Sequence, residues 1–174
     1  MTETRSTELN EQLRQAEKQR IPKRQTPFSK AFVEFIPTDW APYPDELPEP
    51  LSSAPSATAH RDALAARFDS DRLVIPAGHL MRRNNDCDYP FRPNTAFAYY
   101  SGLGTDREPN AVLVVDTTAE TRDVLYFKPR APRTDREFYA DPTYGEMWVG
   151  QRESLEEMAA ICLLYTSDAA DDMQ

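Results

Sequence analysis

The sequence predicts an α/β protein: a three-layer domain with a mixed β-sheet flanked by helices, preceded by a proline-rich N-terminal extension. Short segments with a continuous apolar run, such as 72–76 with Leu-Val-Ile at its centre and 111–115, which is nearly all Val and Leu, are typical of strands covered on both faces. Segments with helical spacing of apolar residues alternate with these strands, as in α/β domains. Hydrophobic residues make up 40% of the 174 residues, which is enough to form a core.

Residues 1–55 form the predicted extension, which begins with helical segments. Residues 6–20 have a thin apolar stripe that is typical of an exposed helix. Residues 28–36 are strongly apolar, and Ser29 near their start is of a type that caps helices. The segment is therefore predicted to form a short docked helix.

A proline-rich segment completes the extension. Six prolines lie between residues 37 and 55, and this density excludes a helix or a central strand there. The segment is either a loose linker or an extended segment that docks on a surface. Trp40, Tyr43 and Leu47 favour docking, because it would bury them.

A compact domain is predicted over residues 56–161. Its strands are expected at 72–76, 95–100, 111–115, 123–127 and 147–149, and its helices at 58–68, 135–139 and 154–161. Ser154 lies three residues before Glu157, which is the spacing of a capping box at the start of the last helix.

Residues 162–174 resemble the translation of a transposase sequencing adapter rather than a protein segment. The match runs through ten consecutive residues, 162–171. A native acidic tail is the alternative. With the adapter interpretation, the native sequence would stop near Ile161 inside a helix and would continue in the natural protein, so we expect the compact domain to be truncated.

Composition excludes several classes of partner and site. The net charge of −9 argues against nucleic acid or an anionic membrane as the main partner, and no apolar run is long enough to span a bilayer. Two cysteines cannot form a disulfide framework, which fits a cytoplasmic protein. The motifs of common metal, thiol, serine and phosphate sites are absent. Cys87 lies between two acids that disfavour its thiolate, so we reject it as a nucleophile.

The most informative stretch is the polar, proline-stiffened loop 83–97. Composition alone favours an ion-paired loop in which Arg92 is held by Asp86 or Asp88. Its pattern, however, resembles the N-terminal domain of Xaa-Pro aminopeptidases (aminopeptidase P). The similarity extends through residues 58–161 and includes the segments Arg83…Asp86…Tyr89-Pro90-x-Arg92-x-Asn94, Val124-Leu125-Tyr126-Phe127-x-Pro129-Arg130 and Glu146-x-Trp148-x-Gly150-x-Arg152.

This resemblance implies the function of a larger protein. Family members are hydrolases that remove the N-terminal residue preceding proline from peptides, so the partners would be peptides with proline at the second position. The cofactors would be two divalent metal ions, typically manganese, bound by a second domain. No catalytic or metal-ligating residue is assigned here, and the fragment is expected to be inactive on its own.

The resemblance also implies a supporting role for this domain. It would build a homo-oligomer, a dimer or a tetramer, and line the substrate site. Asp86 and Trp148 match family residues near that site, so they are the predicted substrate-binding residues. Their simpler alternatives are a turn-capping Asp and a core Trp. Arg92 and Asn94 match the motif but are interpreted as structural.

Two other functions stay open. A prolidase-type dipeptidase has a related N-terminal domain, and a non-catalytic peptide- or protein-binding module is built on the same fold. The sequence downstream of Ile161 would separate them, because only the enzymes require a set of metal ligands there.

Overall fold

A computed structural model describes residues 28–85, 87–105 and 107–169 of the chain. These residues form two compact units. The larger unit runs from Pro44 to Pro129 and resumes at Glu153, and the smaller one comprises the described residues up to Tyr43 together with Arg130–Arg152. The helix predicted at 6–20 lies outside the described residues.

The described residues contain six helices and four strands. In chain order they are α1 (Lys30–Phe35), α2 (Ala54–Ala65), β1 (Arg72–Pro76), α3 (Thr95–Ser101), β2 (Val112–Asp116), β3 (Asp123–Phe127), α4 (Arg136–Ala140), α5 (Glu146–Val149), α6 (Leu155–Cys162) and β4 (Tyr165–Asp168). Helices α1, α4 and α5 belong to the smaller unit, and the other elements belong to the larger one.

The four strands form one sheet in the order β1-β2-β3-β4. Strand β2 pairs antiparallel with both β1 and β3, whereas β4 pairs parallel with β3. This confirms the predicted mixed sheet flanked by helices. Strand β1 is not covered on both faces as expected, because Val74 in its middle is 60% exposed. Strand β4 and the end of α6 lie in the segment that resembles an adapter, and the origin of that segment stays a prediction.

The register of the sheet decides which side chains form the core. Leu113 lies opposite Leu125 on β3, and Val115 lies opposite Leu73 on β1, so these residues share one face. Leu113, Val115 and Leu125 are fully buried. Residues of the helices complete the same cluster, namely Leu64 of α2, Phe97 of α3, and Met158 and Ile161 of α6. The apolar residues of the helices and of the sheet therefore pack in one core.

Two predicted strands are helical. Residues 95–100 lie in α3, where Phe97 and Ser101 are buried four residues apart and Gly102 ends the helix with a φ of 79°. Such a positive φ suits glycine, which has no side chain to clash. The aromatic composition had suggested a strand, but the position of the buried residues favours a helix. Residues 147–149 lie in α5, a single helical turn.

The first residues of α6 and α2 can be compared with the helix starts that the sequence predicted. The capping box at α6 is confirmed, because the Ser154 hydroxyl accepts from the Glu157 N–H and the Glu157 carboxylate accepts from the Ser154 N–H. Helix α2 begins earlier than predicted, at Ala54, with Pro55 in its first turn. Proline is tolerated there because the first turn needs no N–H donor.

A buried arginine joins α2 to the sheet. The Arg61 side chain is 1% exposed, and its Nε donates to Asp123 at 2.9 Å. Its other nitrogens donate to the Tyr100 carbonyl and the Thr58 hydroxyl. Burial raises the pKa of Asp123, but hydrogen bonds from Arg122 and Arg61 outweigh it and lower that pKa overall. Asp123 is therefore ionised at neutral pH and faces the guanidinium of Arg61 as a carboxylate.

We predict that Asp123→Asn destabilises the larger unit by about 3 kcal/mol, because it leaves the buried guanidinium of Arg61 without its carboxylate. Urea denaturation followed by circular dichroism measures the change. The matched control is Arg82→Gln, which removes an ion pair whose arginine is 66% exposed and should cost no more than about 1 kcal/mol. Equal losses for the two variants would contradict the importance of the buried pair.

We predict a second, pH-dependent effect at Asp116. Its carboxylate accepts from the Thr118 hydroxyl and N–H and from Arg72, and these bonds lower its pKa from 3.8 to about 2. Because the folded pKa lies below the unfolded value, the stabilisation is complete above about pH 5 and is lost as the pH falls toward 2. The difference in urea midpoint between the wild type and Asp116→Asn should therefore shrink over that range. A pH-independent difference would refute this, and Asp45→Asn, at an exposed position, is the control.

Candidate functional site

The first predicted site residue, Asp86, lies outside the described residues, but the loop on either side of it is defined. Arg82 and Asp88 face each other as a backbone bridge and form an ion pair at 2.9 Å. The Tyr89 N–H donates to the Met81 carbonyl at 2.9 Å. The loop is ion-paired, as its composition predicted, but the partner of Asp88 is Arg82 rather than Arg92.

Further hydrogen bonds within the loop constrain its backbone conformation. The N–H groups of Arg83 and Asn84 donate to the Cys87 carbonyl, and the Cys87 N–H donates to the Asn84 side chain. Tyr89 is 53% exposed, and the Arg83 guanidinium lies 5.8 Å from the centre of its ring. The loop therefore presents polar and aromatic groups to solvent on a constrained backbone.

Asn94 has the structural role that the sequence predicted. Its N–H donates to the Ala77 carbonyl, and its side-chain amide donates to the Pro76 carbonyl at 3.0 Å. These bonds attach the start of α3 to the end of β1. The orientation of the loop that precedes Asn94 is consequently fixed at its C-terminal side by the sheet.

The second predicted site residue, Trp148, is on the surface of the smaller unit. Its side chain is 61% exposed, which excludes the alternative of a core tryptophan. The indole Nε1 nevertheless donates to the Tyr139 carbonyl at 2.8 Å. Met147 and Val149 beside it are also about half exposed. Helix α5 thus presents an apolar surface to solvent, and the hydrogen bond of the indole N–H fixes the orientation of the Trp148 ring.

Helix α5 is held from several sides. The two Glu146 carboxylate oxygens accept from the Tyr43 hydroxyl at 2.5 Å and from the Arg152 N–H at 2.6 Å. Gly145 precedes the helix, and a Cβ there would lie 2.5 Å from the carbonyl oxygens of Asp141 and Glu137. Only glycine permits this approach. The turn that bears Trp148 is therefore rigidly attached to α4.

Sequence reasoning missed Tyr43 as a partner of Glu146. The two residues are 103 positions apart, and no periodic or motif signal connects them. The only available signal was that Tyr43 is an aromatic residue in a proline-rich segment. Contacts of the Trp40 ring with Phe138 and of the Tyr43 ring with Arg133 agree with the docked segment that the sequence predicted. The predicted burial is incomplete, because Trp40 is 45% exposed and Leu47 is 60% exposed.

The segments that contain the two predicted site residues belong to different units of the structure. The loop 81–89 belongs to the larger unit, and Trp148 belongs to the smaller one. Within residues 28–85, 87–105 and 107–169, no three or more His, Cys, Asp or Glu side chains are grouped as a metal site would require. No helix in these residues is both long enough and apolar enough to cross a bilayer.

Relatives of known activity match most of the chain. Xaa-Pro aminopeptidase 1 of Streptomyces coelicolor is 37% identical over 144 residues, which cover 82% of this chain and 28% of that protein. Xaa-Pro aminopeptidase 2 of the same organism is 36% identical over 133 residues, covering 75% of this chain and 27% of that protein. The chain thus spans a little over a quarter of the length of these relatives.

A solved structure has the same fold. The low-pH form of aminopeptidase P from E. coli superposes with a TM-score of 0.53 at 24% identity, over 68% of this chain and 24% of that one. The family model described as "Aminopeptidase P, N-terminal domain" matches residues 57–174. Because this match covers most of the chain, the protein belongs to the aminopeptidase P N-terminal domain family.

Proposed function

We propose that this chain is the N-terminal, non-catalytic part of a cytoplasmic Xaa-Pro aminopeptidase, which removes the residue preceding proline from peptides. The observation that supports this most directly is the segment from Glu146 to Arg152, which matches the family and presents an exposed, oriented Trp148. The names and matched lengths of the Streptomyces relatives agree with it. The proposed parts are the extension 1–55, the domain 56–161 and the adapter-like tail 162–174.

The reaction itself is assigned to a different part of the whole protein. We propose that two divalent ions, typically manganese in this family, are bound there. The described residues do not fit such a site, because no sufficient group of ligands is present in them. This chain therefore contributes substrate contacts and subunit contacts in the proposal, and no ligand is assigned to it.

Trp148 is proposed to contact the apolar part of the substrate. An aromatic face packs well on a proline ring or an aliphatic side chain, and burial of the ring on binding supplies the free energy. In the proposed homo-oligomer, a dimer or a tetramer, the ring reaches the substrate site of a neighbouring subunit. The exposed Met147 and Val149 provide apolar surface for the same contact.

Asp86 is proposed to contact the charged end of the substrate. A carboxylate forms a charge-assisted hydrogen bond with a peptide ammonium group or with an arginine in the pocket. The Arg82–Asp88 pair constrains the loop on both sides of this position. Asp88 is engaged in that pair, which makes it less suited to the same role.

We predict that Trp148→Ala in the full-length enzyme lowers kcat/KM for Xaa-Pro peptides about tenfold or more, because the apolar contact is lost. The melting temperature should change little, since the ring is largely exposed. Leu47→Ala, which truncates a residue that is 60% exposed, is the control and should leave both quantities unchanged. Normal kinetics combined with a large fall in melting temperature would instead indicate a structural tryptophan.

We predict that the 174-residue chain does not cleave Xaa-Pro peptides, even with added manganese, whereas the protein encoded by the gene read past the codon for Ile161 does. Peptide hydrolysis followed by chromatography measures both activities. Cleavage of dipeptides alone by the longer protein would favour the prolidase alternative. A downstream sequence without metal ligands would favour a binding module.

A further inference from the structure

The smaller unit contains an N-terminal segment that lies outside the residues matched by the family model. Residues 28–43, here called the strap, precede residues 57–174 that the family model matches. Phe28 and Phe32 of the strap stack on each other at 5.0 Å, and each meets the ring of Tyr139 edge-on. Tyr139 is the residue whose carbonyl accepts the indole N–H of Trp148.

The middle of the strap packs on the same helix. Ile36 is 7% exposed and forms a small core with Phe138 and Tyr139 of α4. The Trp40 ring meets Phe138 edge-on at 5.2 Å, and its Nε1 donates to the Ile36 carbonyl at 2.6 Å. The strap is thus folded on itself and fixed on α4 before it reaches Tyr43.

The end of the strap is held between two cations. The guanidinium groups of Arg130 and Arg133 lie 3.9 Å and 4.0 Å from the centre of the Tyr43 ring. Cation–π contacts of this kind restrain the plane of the ring. The Tyr43 hydroxyl is thereby directed at Glu146, to which it donates at 2.5 Å.

Protonation keeps this hydrogen bond in place. Burial raises the pKa of the Tyr43 hydroxyl, and the carboxylate of Glu146 raises it further. The hydroxyl is therefore a donor at neutral pH, and the carboxylate is its acceptor. A hydrogen bond to a charged acceptor contributes more than a neutral one.

Both anchors of Trp148 consequently lead to the strap. One runs from the indole N–H to the backbone of Tyr139, whose ring contacts Phe28 and Phe32. The other runs along α5 to Glu146 and then to Tyr43. We propose that the strap positions Trp148 for substrate binding, with Tyr43 as a positioning residue that acts through Glu146; this role rests on the function proposed above.

The comparison with Streptomyces coelicolor supports this inference. The match to its Xaa-Pro aminopeptidase 1 covers 82% of the chain, more than residues 57–174 make up, so it includes residues that precede the family domain. A segment that only joined two parts of the chain would need neither an engaged hydroxyl nor two guanidinium groups over its ring.

The direct test follows the indole N–H of Trp148 in the 174-residue chain labelled with 15N. The chain has two tryptophans, so Trp148→Phe assigns the two indole signals. Tyr43→Phe retains the ring between the arginines and removes only the hydroxyl. We expect it to accelerate hydrogen exchange of the Trp148 indole about fivefold, because the lost bond allows α5 to open more often.

Two controls separate this effect from general instability. Tyr99→Phe removes the hydroxyl of a 51% exposed tyrosine in the larger unit and should leave the Trp148 exchange rate unchanged. Exchange of the Leu113 amide, in the core of the larger unit, should not change in Tyr43→Phe. Glu146→Gln leaves one acceptor oxygen for two donors, so it should accelerate indole exchange at least as much as Tyr43→Phe does. The effect of the double variant should be smaller than the two single effects combined, because both changes weaken the contact between residues 43 and 146.

The same variants in the full-length enzyme test the consequence for binding. We expect Tyr43→Phe to raise KM about fivefold with kcat unchanged, whereas a smaller fraction of folded enzyme would lower the apparent kcat alone. An unchanged indole exchange rate in Tyr43→Phe overturns the inference, whatever the kinetics of Trp148→Ala. Accelerated exchange with an unchanged KM supports positioning by the strap and contradicts the proposed role of Trp148.

Discussion

The arrangement of the smaller unit depends on one carboxylate. Glu146 accepts from the Tyr43 hydroxyl with one oxygen and from the Arg152 N–H with the other. It therefore joins the N-terminal segment, the helical turn α5 and the chain that leaves this turn. A single-turn helix has too few internal hydrogen bonds to be stable alone, so such external partners define it. The exposure of Trp148 without loss of its orientation follows from this attachment.

The larger unit is organised by a comparable device at its core. Arg61 reaches from α2 to Asp123 at the start of β3 and satisfies the Tyr100 carbonyl near the end of α3. Few alternative arrangements of these elements would satisfy a guanidinium buried to this degree, since each of its N–H donors needs an acceptor. The apolar residues of the sheet and helices supply most of the burial, and the arginine fixes how these elements are aligned.

Much of this fold could be predicted, because the signals are local. The apolar strands 72–76, 111–115 and 123–127 and the capping box at Ser154 were recognised from composition and spacing. Residues 95–100 were misread because aromatic residues favour strands in general, whereas the buried pair four residues apart and the glycine at the end define a helix. Tyr43 could not be found as a partner of Glu146, since long-range hydrogen bonds leave no pattern in a single sequence. Trp148 was predicted as a site residue from a family segment, and that role stays a prediction; its exposure and its hydrogen bond to Tyr139 could be seen only in the structure.

Gly145 has a consequence for how this surface can vary among related proteins. Backbone oxygens surround the position so closely that even a methyl group has no room. The exposed side chains of α5, such as Met147 and Val149, can therefore be exchanged without reshaping the turn, provided that Gly145 and Glu146 remain. Under the function proposed above, these positions can vary with the peptide substrate while the backbone of the turn stays constant.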